Sequence, residues 1–175
     1  MEFYYPNWIN DHWRIQGLVF FGDAAHFIDA AHGKTFLVED IKAHCVERGI
    51  AYFDTATAVN RLRDNASDKH LEIVEHTDIV NLITPLKDLR AIVTTGEKAT
   101  EAACRQLGLE SIPGVNEAKI IRFDDAKAMR FNEAIPIPNT SLELYRLPSS
   151  SRAYPLSLEK KAASYRQMFL RYGLL

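Results

Sequence analysis

A loop near the end of the chain combines residue types that bind phosphate groups. An apolar run ends in one proline, three serines and one arginine, namely Pro148, Ser149, Ser150, Ser151 and Arg152. Hydroxyls and free amides in such a turn can hold a phosphate, and the helix predicted after Ser157 adds its positive N-terminal end. With Tyr154 as a wedge, the loop could also help to extrude a base from a duplex. The alternative is an ordinary strand-to-helix loop with an N-cap.

The charge distribution also singles out this end of the chain. The sequence has a net charge of −2. The segment 145–175 contains six basic residues, Lys160 among them, and one acidic residue, so it carries about +5 and the remainder about −7. A basic end on an acidic body predicts a local anion site, and its alternative is a solvated basic helix face.

Other chemistries find little support in the sequence. It contains no Walker loop, no G-x-G-x-x-G motif and no G-x-S-x-G elbow. His26 and His32 are close in sequence but do not form a metal-binding pair, and two cysteines cannot hold an iron–sulfur cluster. We therefore predict no metal and no cofactor. Free thiols at Cys45 and Cys104, with no apolar span or secretion signal, favour a cytoplasmic protein without a membrane partner.

Strand and helix patterns alternate along the chain. Helical spacing is found at 13–20, with Asn10 or Asp11 as the N-cap, and at 38–48, 71–82, 97–107 and 158–172. Strand-like runs are found at 50–56, 90–96 and 142–147, with a hairpin over 119–131. This order predicts an α/β fold, specifically a three-layer α/β/α sandwich with a mainly parallel central sheet, in a single domain over 1–175. The polar strand ends should then meet at one edge of the sheet.

The serine-rich loop resembles a known active-site motif. Residues 147–153, Leu-Pro-Ser-Ser-Ser-Arg-Ala, are similar to the second motif of the uracil-DNA glycosylase superfamily, in its mismatch-specific uracil/thymine and hypoxanthine-DNA glycosylase-like branches. Further similarities follow in family order: Tyr4-Tyr5 with Asn10 and Trp13, the run 49–54, the Ser-Asp element in 65–68 and the turn 95–99. The resemblance covers nearly the whole chain, and the ordered set is more specific than any single member.

The resemblance implies hydrolysis of the N-glycosidic bond of a deaminated base, uracil or hypoxanthine-like, in DNA. It implies that Asn10 positions water, with helix capping as the alternative. It implies that Asp54 reads the base edge, with a strand-end cap or an ion-pair partner for Arg61 or Arg63 as the alternatives. Tyr5 would stack on the base, and Tyr4 would line the same pocket. Thr95 and Gly96 would complete the substrate site. The residues implied to contact DNA are Pro148, Ser149, Ser150, Ser151, Arg152, Tyr154 and Lys160.

One family feature has no counterpart here. Members of the superfamily begin with a strand that ends in a Gly-x-x-Pro motif, whereas this sequence begins just before Tyr4-Tyr5. An absent strand would leave an apolar seam that favours a homodimer. Two alternatives to a DNA glycosylase therefore stay open: a non-catalytic DNA-binding or structural protein of the same fold, and a hydrolase of free nucleosides.

Overall fold

The computed structural model describes residues 3–61, 71–86, 88–121 and 142–175. The chain forms two compact units, Met1–Phe53 with Leu147–Leu175 (the first unit) and Asp54–Arg146 (the second unit). Helices and strands are mixed and the sheets are small, so the α/β class is confirmed at this coarse level. This division does not test the prediction of a single domain, which stays a prediction.

The first unit is built mainly from helices. Its elements are α1 (His12–Phe21), β1 (Ile28–Asp29), β2 (Thr35–Phe36), α2 (Val38–Arg48) and α5 (Leu158–Arg171), with β1 and β2 antiparallel. Helix α1 packs against α5 and buries every residue from His12 to Gly17. Gly17 is required there because a Cβ atom would lie 2.5 Å from the carbonyl oxygen of Asp23. An aromatic core surrounds Trp13, Phe27 and Phe36.

The second unit combines a hairpin, a three-stranded sheet and two helices. Its elements are β3 (Ala56–Arg61), β4 (Leu71–His76), α3 (Ile79–Ile83), β5 (Ala91–Thr95), α4 (Glu97–Leu107), β6 (Ala118–Ile120) and β7 (Glu143–Leu147). Strands β3 and β4 pair with each other, and the mixed sheet has the order β5-β7-β6. Apolar side chains of α3, α4 and β7 form the core of this unit.

Several predicted elements are confirmed. The helix predicted at 38–48 is α2, and the one predicted at 97–107 is α4; each ends at a glycine in the left-handed conformation. The predicted strands 90–96 and 142–147 are β5 and β7. The last helix begins after Ser157, whose hydroxyl accepts the Lys160 backbone N–H. Asp78 likewise caps the short helix α3 by accepting the Asn81 N–H.

Two predicted elements are wrong. Residues 71–76 form β4 instead of the start of a helix, because the run pairs with β3, and six residues carry too little periodicity to separate the two structures. Residues 50–55 form no strand: Tyr52 packs among aromatic rings, and the strand begins only at Ala56. Most of the predicted hairpin and the Ser-Asp element in 65–68 lie outside the described residues.

Candidate functional site

The serine-rich loop pairs directly with the start of α1. Asn10 and Ser151 form an isolated antiparallel β-bridge. The backbone N–H of Asp11 donates to the carbonyl of Ser150 over 2.9 Å. The two segments that the sequence assigns to phosphate binding and to the base pocket are therefore in contact, although about 140 residues separate them.

Hydrogen bonds within the loop fix its shape. The Ser149 hydroxyl accepts the Ser151 N–H at 3.2 Å, and the Ser151 hydroxyl accepts the Ala153 N–H at 3.2 Å. A hydroxyl that accepts such a bond keeps its own O–H as a donor. Both serines therefore retain a donor suited to an anionic oxygen. Pro148 and Ser150 are buried, whereas Arg152 and Lys160 are exposed and Tyr154 lies half-buried.

A buried carboxylate anchors the loop to α1 and α5. Asp11 Oδ1 accepts from Arg152 Nε at 2.8 Å, and Asp11 Oδ2 lies 3.2 Å from Lys161 Nζ. Lys161 also donates to the Ser151 carbonyl at 2.8 Å, and its side chain is only 1 % exposed. A buried ammonium is stable only when it is paired and hydrogen-bonded. Asp11 and Lys161 therefore hold the backbone of the loop in one position.

An aromatic cluster lies next to this anchor, in the first unit. The ring of Tyr5 stacks on His12, with centroids 4.0 Å apart and planes inclined by 12°. The rings of Tyr52 and Tyr165 meet His12 edge-on, at 5.1 and 5.8 Å. Tyr4 lies on the outer side, with its ring 6.2 Å from that of Tyr52. The predicted base-stacking residue is thus part of a continuous aromatic wall.

Three polar side chains meet inside this wall. His12 Nε2 lies 2.9 Å from the Tyr52 hydroxyl, which also accepts from Gln16 Nε2 at 2.9 Å. Burial lowers the pKa of His12 to about 3, so the imidazole is neutral at physiological pH. Burial also raises the pKa of Tyr52 well above its usual value. The group is therefore an uncharged hydrogen-bonding network.

Two atoms of this network have no partner. Neither His12 Nδ1 nor Gln16 Oε1 makes a hydrogen bond with any described residue, although both atoms are buried. Most buried polar atoms in folded proteins are paired, so such exceptions call for a reason.

The backbone of Tyr5 adopts an uncommon conformation. Its φ is 55°, in the left-handed region, and the residue precedes Pro6, which disfavours helical conformations of either hand. Strain of this kind costs roughly 1–3 kcal/mol and is concentrated at functional sites. The packing of Tyr5 on His12 offsets this cost.

Asn10 makes the capping contact expected of a residue at a helix start. Its Oδ1 accepts the His12 backbone N–H at 2.9 Å. This is the capping alternative considered for Asn10. An amide oxygen has two lone pairs, so the same atom can also accept from a water molecule.

The remaining predicted site residues belong to the second unit. Asp54 is mostly exposed, and desolvation of its carboxyl by nearby atoms raises the pKa of that group. Thr95 ends β5, and Gly96 has φ 81° at the turn into α4. The buried Thr100 hydroxyl donates to the Gly96 carbonyl at 2.5 Å and lies 2.9 Å from the hydroxyl of Thr94. The side chain of Thr100, a residue of α4, therefore stabilises the turn that precedes this helix.

The sequence did not indicate the roles of Asp11, His12, Gln16 and Lys161. A signal was present for three of these residues. Lys161 shares helical spacing with the buried Tyr165 and Met168, so its charge lies on the apolar face and needs a partner. His12 and Gln16 are four residues apart on α1, which places them on one helix face.

Comparisons with known proteins give no further identification. No protein-family model matches this sequence, and no curated protein or solved structure matches it significantly. Among the described residues, no three His, Cys, Asp or Glu side chains are grouped so that they could hold a metal ion. None of the described helices is long and apolar enough to cross a bilayer.

Proposed function

We propose that this chain is a DNA glycosylase that hydrolyses the N-glycosidic bond of uracil or another deaminated base. One observation carries the proposal: the backbone pairing of the serine-rich loop with the start of α1, through Asn10↔Ser151 and the Asp11–Ser150 hydrogen bond. This pairing puts a phosphate-binding type of loop beside an aromatic wall. Enzymes that act on an extruded base need both parts together.

The reaction places different demands on the two parts. As the bond breaks, the sugar gains positive character and the departing base gains negative charge. In this proposal Asn10 Oδ1 orients the attacking water, and Tyr5 stacks on the extruded base. The neutral network of His12, Tyr52 and Gln16 packs behind Tyr5 and holds its ring in place. The serine-rich loop holds the adjacent sugar-phosphate backbone.

Two further features belong to the same proposal. The fold is proposed as a three-layer α/β/α sandwich with a mainly parallel sheet, supported by the strand–glycine–helix turn at Gly96. The compartment is proposed as the cytoplasm, supported by the free thiols of Cys45 and Cys104. Asp54, Thr95 and Gly96, in the second unit, stay predictions that rest on the family resemblance alone.

Base excision tests the proposal directly. The chain is incubated with labelled single strands and duplexes that contain uracil, hypoxanthine or xanthine, and with the corresponding free nucleosides. Release of a base from DNA supports the glycosylase. Hydrolysis of nucleosides alone indicates a nucleoside hydrolase, and DNA binding without excision indicates a non-catalytic protein.

Asn10→Ser separates the catalytic role of Asn10 from its capping role. Serine keeps an oxygen that can cap the His12 N–H but loses the amide. Loss of excision with unchanged thermal stability supports water positioning by Asn10. Retained excision contradicts it. Ser157→Ala, which removes the cap of α5, is the matched control for a loss of capping alone.

A further inference from the structure

Arg14 is held rigidly beside the start of α1. Its Nη1 donates to the carbonyl of Trp8 at 3.0 Å and to that of Asn10 at 3.1 Å. The guanidinium carbon lies 4.1 Å from the centre of the Trp8 ring. Two carbonyls and an aromatic face therefore fix the plane of the guanidinium, which still carries N–H donors beyond those of Nη1.

The backbone links Arg14 to Arg152. Asn10, whose carbonyl accepts from Arg14, pairs with Ser151, and Arg152 is the next residue along the loop. Arg152 is in turn held by Asp11, the residue after Asn10. The pKa of Arg14 is lowered first by burial and then by the charge of Arg152, as expected for neighbouring cations.

The charges in this region do not balance. Arg14, Arg152 and Lys161 are three cations, and Asp11 is the single carboxylate among their described polar contacts. Lys161 is enclosed, whereas the side chain of Arg152 is 46 % exposed. The surplus of positive charge is therefore accessible at the guanidinium of Arg152, where an anion can reach it.

We propose that Arg14 and Arg152 form one binding site for an internucleotide phosphate, with Asp11 as the residue that positions Arg152. The assignment of the phosphate to DNA rests on the proposed function. A guanidinium presents planar donors that suit phosphate oxygens. The largely buried carboxylate of Asp11 fixes the orientation of the Arg152 guanidinium. The hydroxyls of Ser149 and Ser151 complete the donor set. Arg152 forms the exposed side of this site, because only 7 % of Arg14 is exposed.

Salt-dependent DNA binding tests the site without any excision. A labelled single-stranded oligonucleotide that lacks a damaged base is titrated at several NaCl concentrations, and its Kd is read by fluorescence anisotropy. Arg152→Gln is expected to weaken binding roughly tenfold and to reduce the slope of log K against log [salt] by about 0.7, the value for one phosphate of a single strand. Arg105→Gln, the same change at an exposed position of α4, is the control.

The double variant decides whether the two arginines share a phosphate. When both serve one phosphate, each single variant weakens binding and the loss in Arg14→Gln/Arg152→Gln differs from the sum of the two single losses. Losses that simply add, or an unchanged Kd in Arg14→Gln, overturn the shared site. Circular dichroism confirms folding. Should Arg14→Gln not fold, Arg14→Lys replaces it, with the expectation that the slope stays and the affinity falls, because the charge remains and the planar fork is lost.

Three outcomes separate this site from related possibilities. An unchanged slope in Arg152→Gln overturns the site, even where excision activity is present. Free inorganic phosphate that stabilises the wild type and not Arg152→Gln, together with an unchanged slope on DNA, would assign the site to free phosphate and overturn the DNA assignment. A reduced slope without any excision supports the site while the proposed glycosylase activity fails.

Discussion

Lys161 and Asp11 form a buried ion pair, with Nζ 3.2 Å from Oδ2, across 150 residues of sequence. The pair connects α5 to the start of α1, and the second bond of Lys161 reaches the Ser151 carbonyl. The proposed phosphate loop thus depends on one enclosed ammonium for its position. This relationship can be examined before any substrate is known.

Lys161→Met is expected to lower the free energy of unfolding by about 3 kcal/mol. The change removes one partner of a buried pair and one of two donors to the Ser151 carbonyl, which keeps the Tyr154 N–H. Urea unfolding followed by circular dichroism measures the loss. Lys160→Met, at the exposed neighbouring position, is the control and should stay within about 0.5 kcal/mol of the wild type. Equal losses in the two variants would contradict a stabilising role for the pair.

His12 is expected to make stability depend on pH. Its pKa falls from 6.5 in the unfolded chain to about 3 in the folded protein. Between these values only the unfolded chain binds the proton, so the stability contributed by neutral His12 is complete above pH 6.5 and is lost as pH falls toward 3. The slope approaches about 1.4 kcal/mol per pH unit.

The variant His12→Phe keeps a ring against Tyr5 and removes the titration. Its unfolding free energy, measured by urea titration at several pH values between 3 and 7, should vary less with pH than that of the wild type. His76→Gln, at an exposed position, is the control and should retain the wild-type dependence. A wild-type slope in His12→Phe would show that another group is responsible.

Thr100→Val is expected to destabilise the turn at Gly96 by about 1–2 kcal/mol. The hydroxyl donates to the Gly96 carbonyl inside the protein, and an isosteric methyl leaves that oxygen without its donor. Thermal unfolding measures the effect. Thr84→Val is the matched control, because the Thr84 hydroxyl also donates to a carbonyl four residues earlier but lies in a half-buried position. The control should lose less, and the reverse order would count against the prediction.

Tyr5→Ala is expected to lower kcat/KM for base excision by about 10- to 100-fold. Stacking of one base on an aromatic ring is worth roughly 1–3 kcal/mol. Tyr5→Phe keeps the ring and should stay near the wild-type rate. Steady-state excision from a uracil-containing strand provides the measurement. Equal rates in the two variants would remove Tyr5 from the substrate site.

The sequence predicted best those elements whose ends carry local signals. Helices α2 and α4 end at Gly49 and Gly108, and Ser157 caps α5, so their bounds depend only on neighbouring residues. The helix predicted at 71–76 was wrong because pairing with β3, the preceding strand in the sequence, decided the conformation of β4. The residue pattern of 71–76 by itself does not indicate that partner.

In the candidate site, too, the sequence predicted contiguous features and did not predict long-range contacts. The loop from Pro148 to Arg152 was recognisable because its chemistry is contiguous. The Asp11–Lys161 pair and the contact of His12 with Tyr52 join residues that are far apart in sequence. Such contacts depend on packing, and a single sequence does not reveal them.

The first unit is discontinuous, since it joins 1–53 to 147–175, while the second unit is one continuous segment. During synthesis the N-terminal segment leaves the ribosome long before its partner α5 exists. The aromatic residues and Asp11 of this segment cannot contact α5 until Lys161 has been synthesised. The whole sequence of the second unit is available earlier. A ribosome that stalls before residue 158 would therefore present an incomplete first unit to chaperones and proteases.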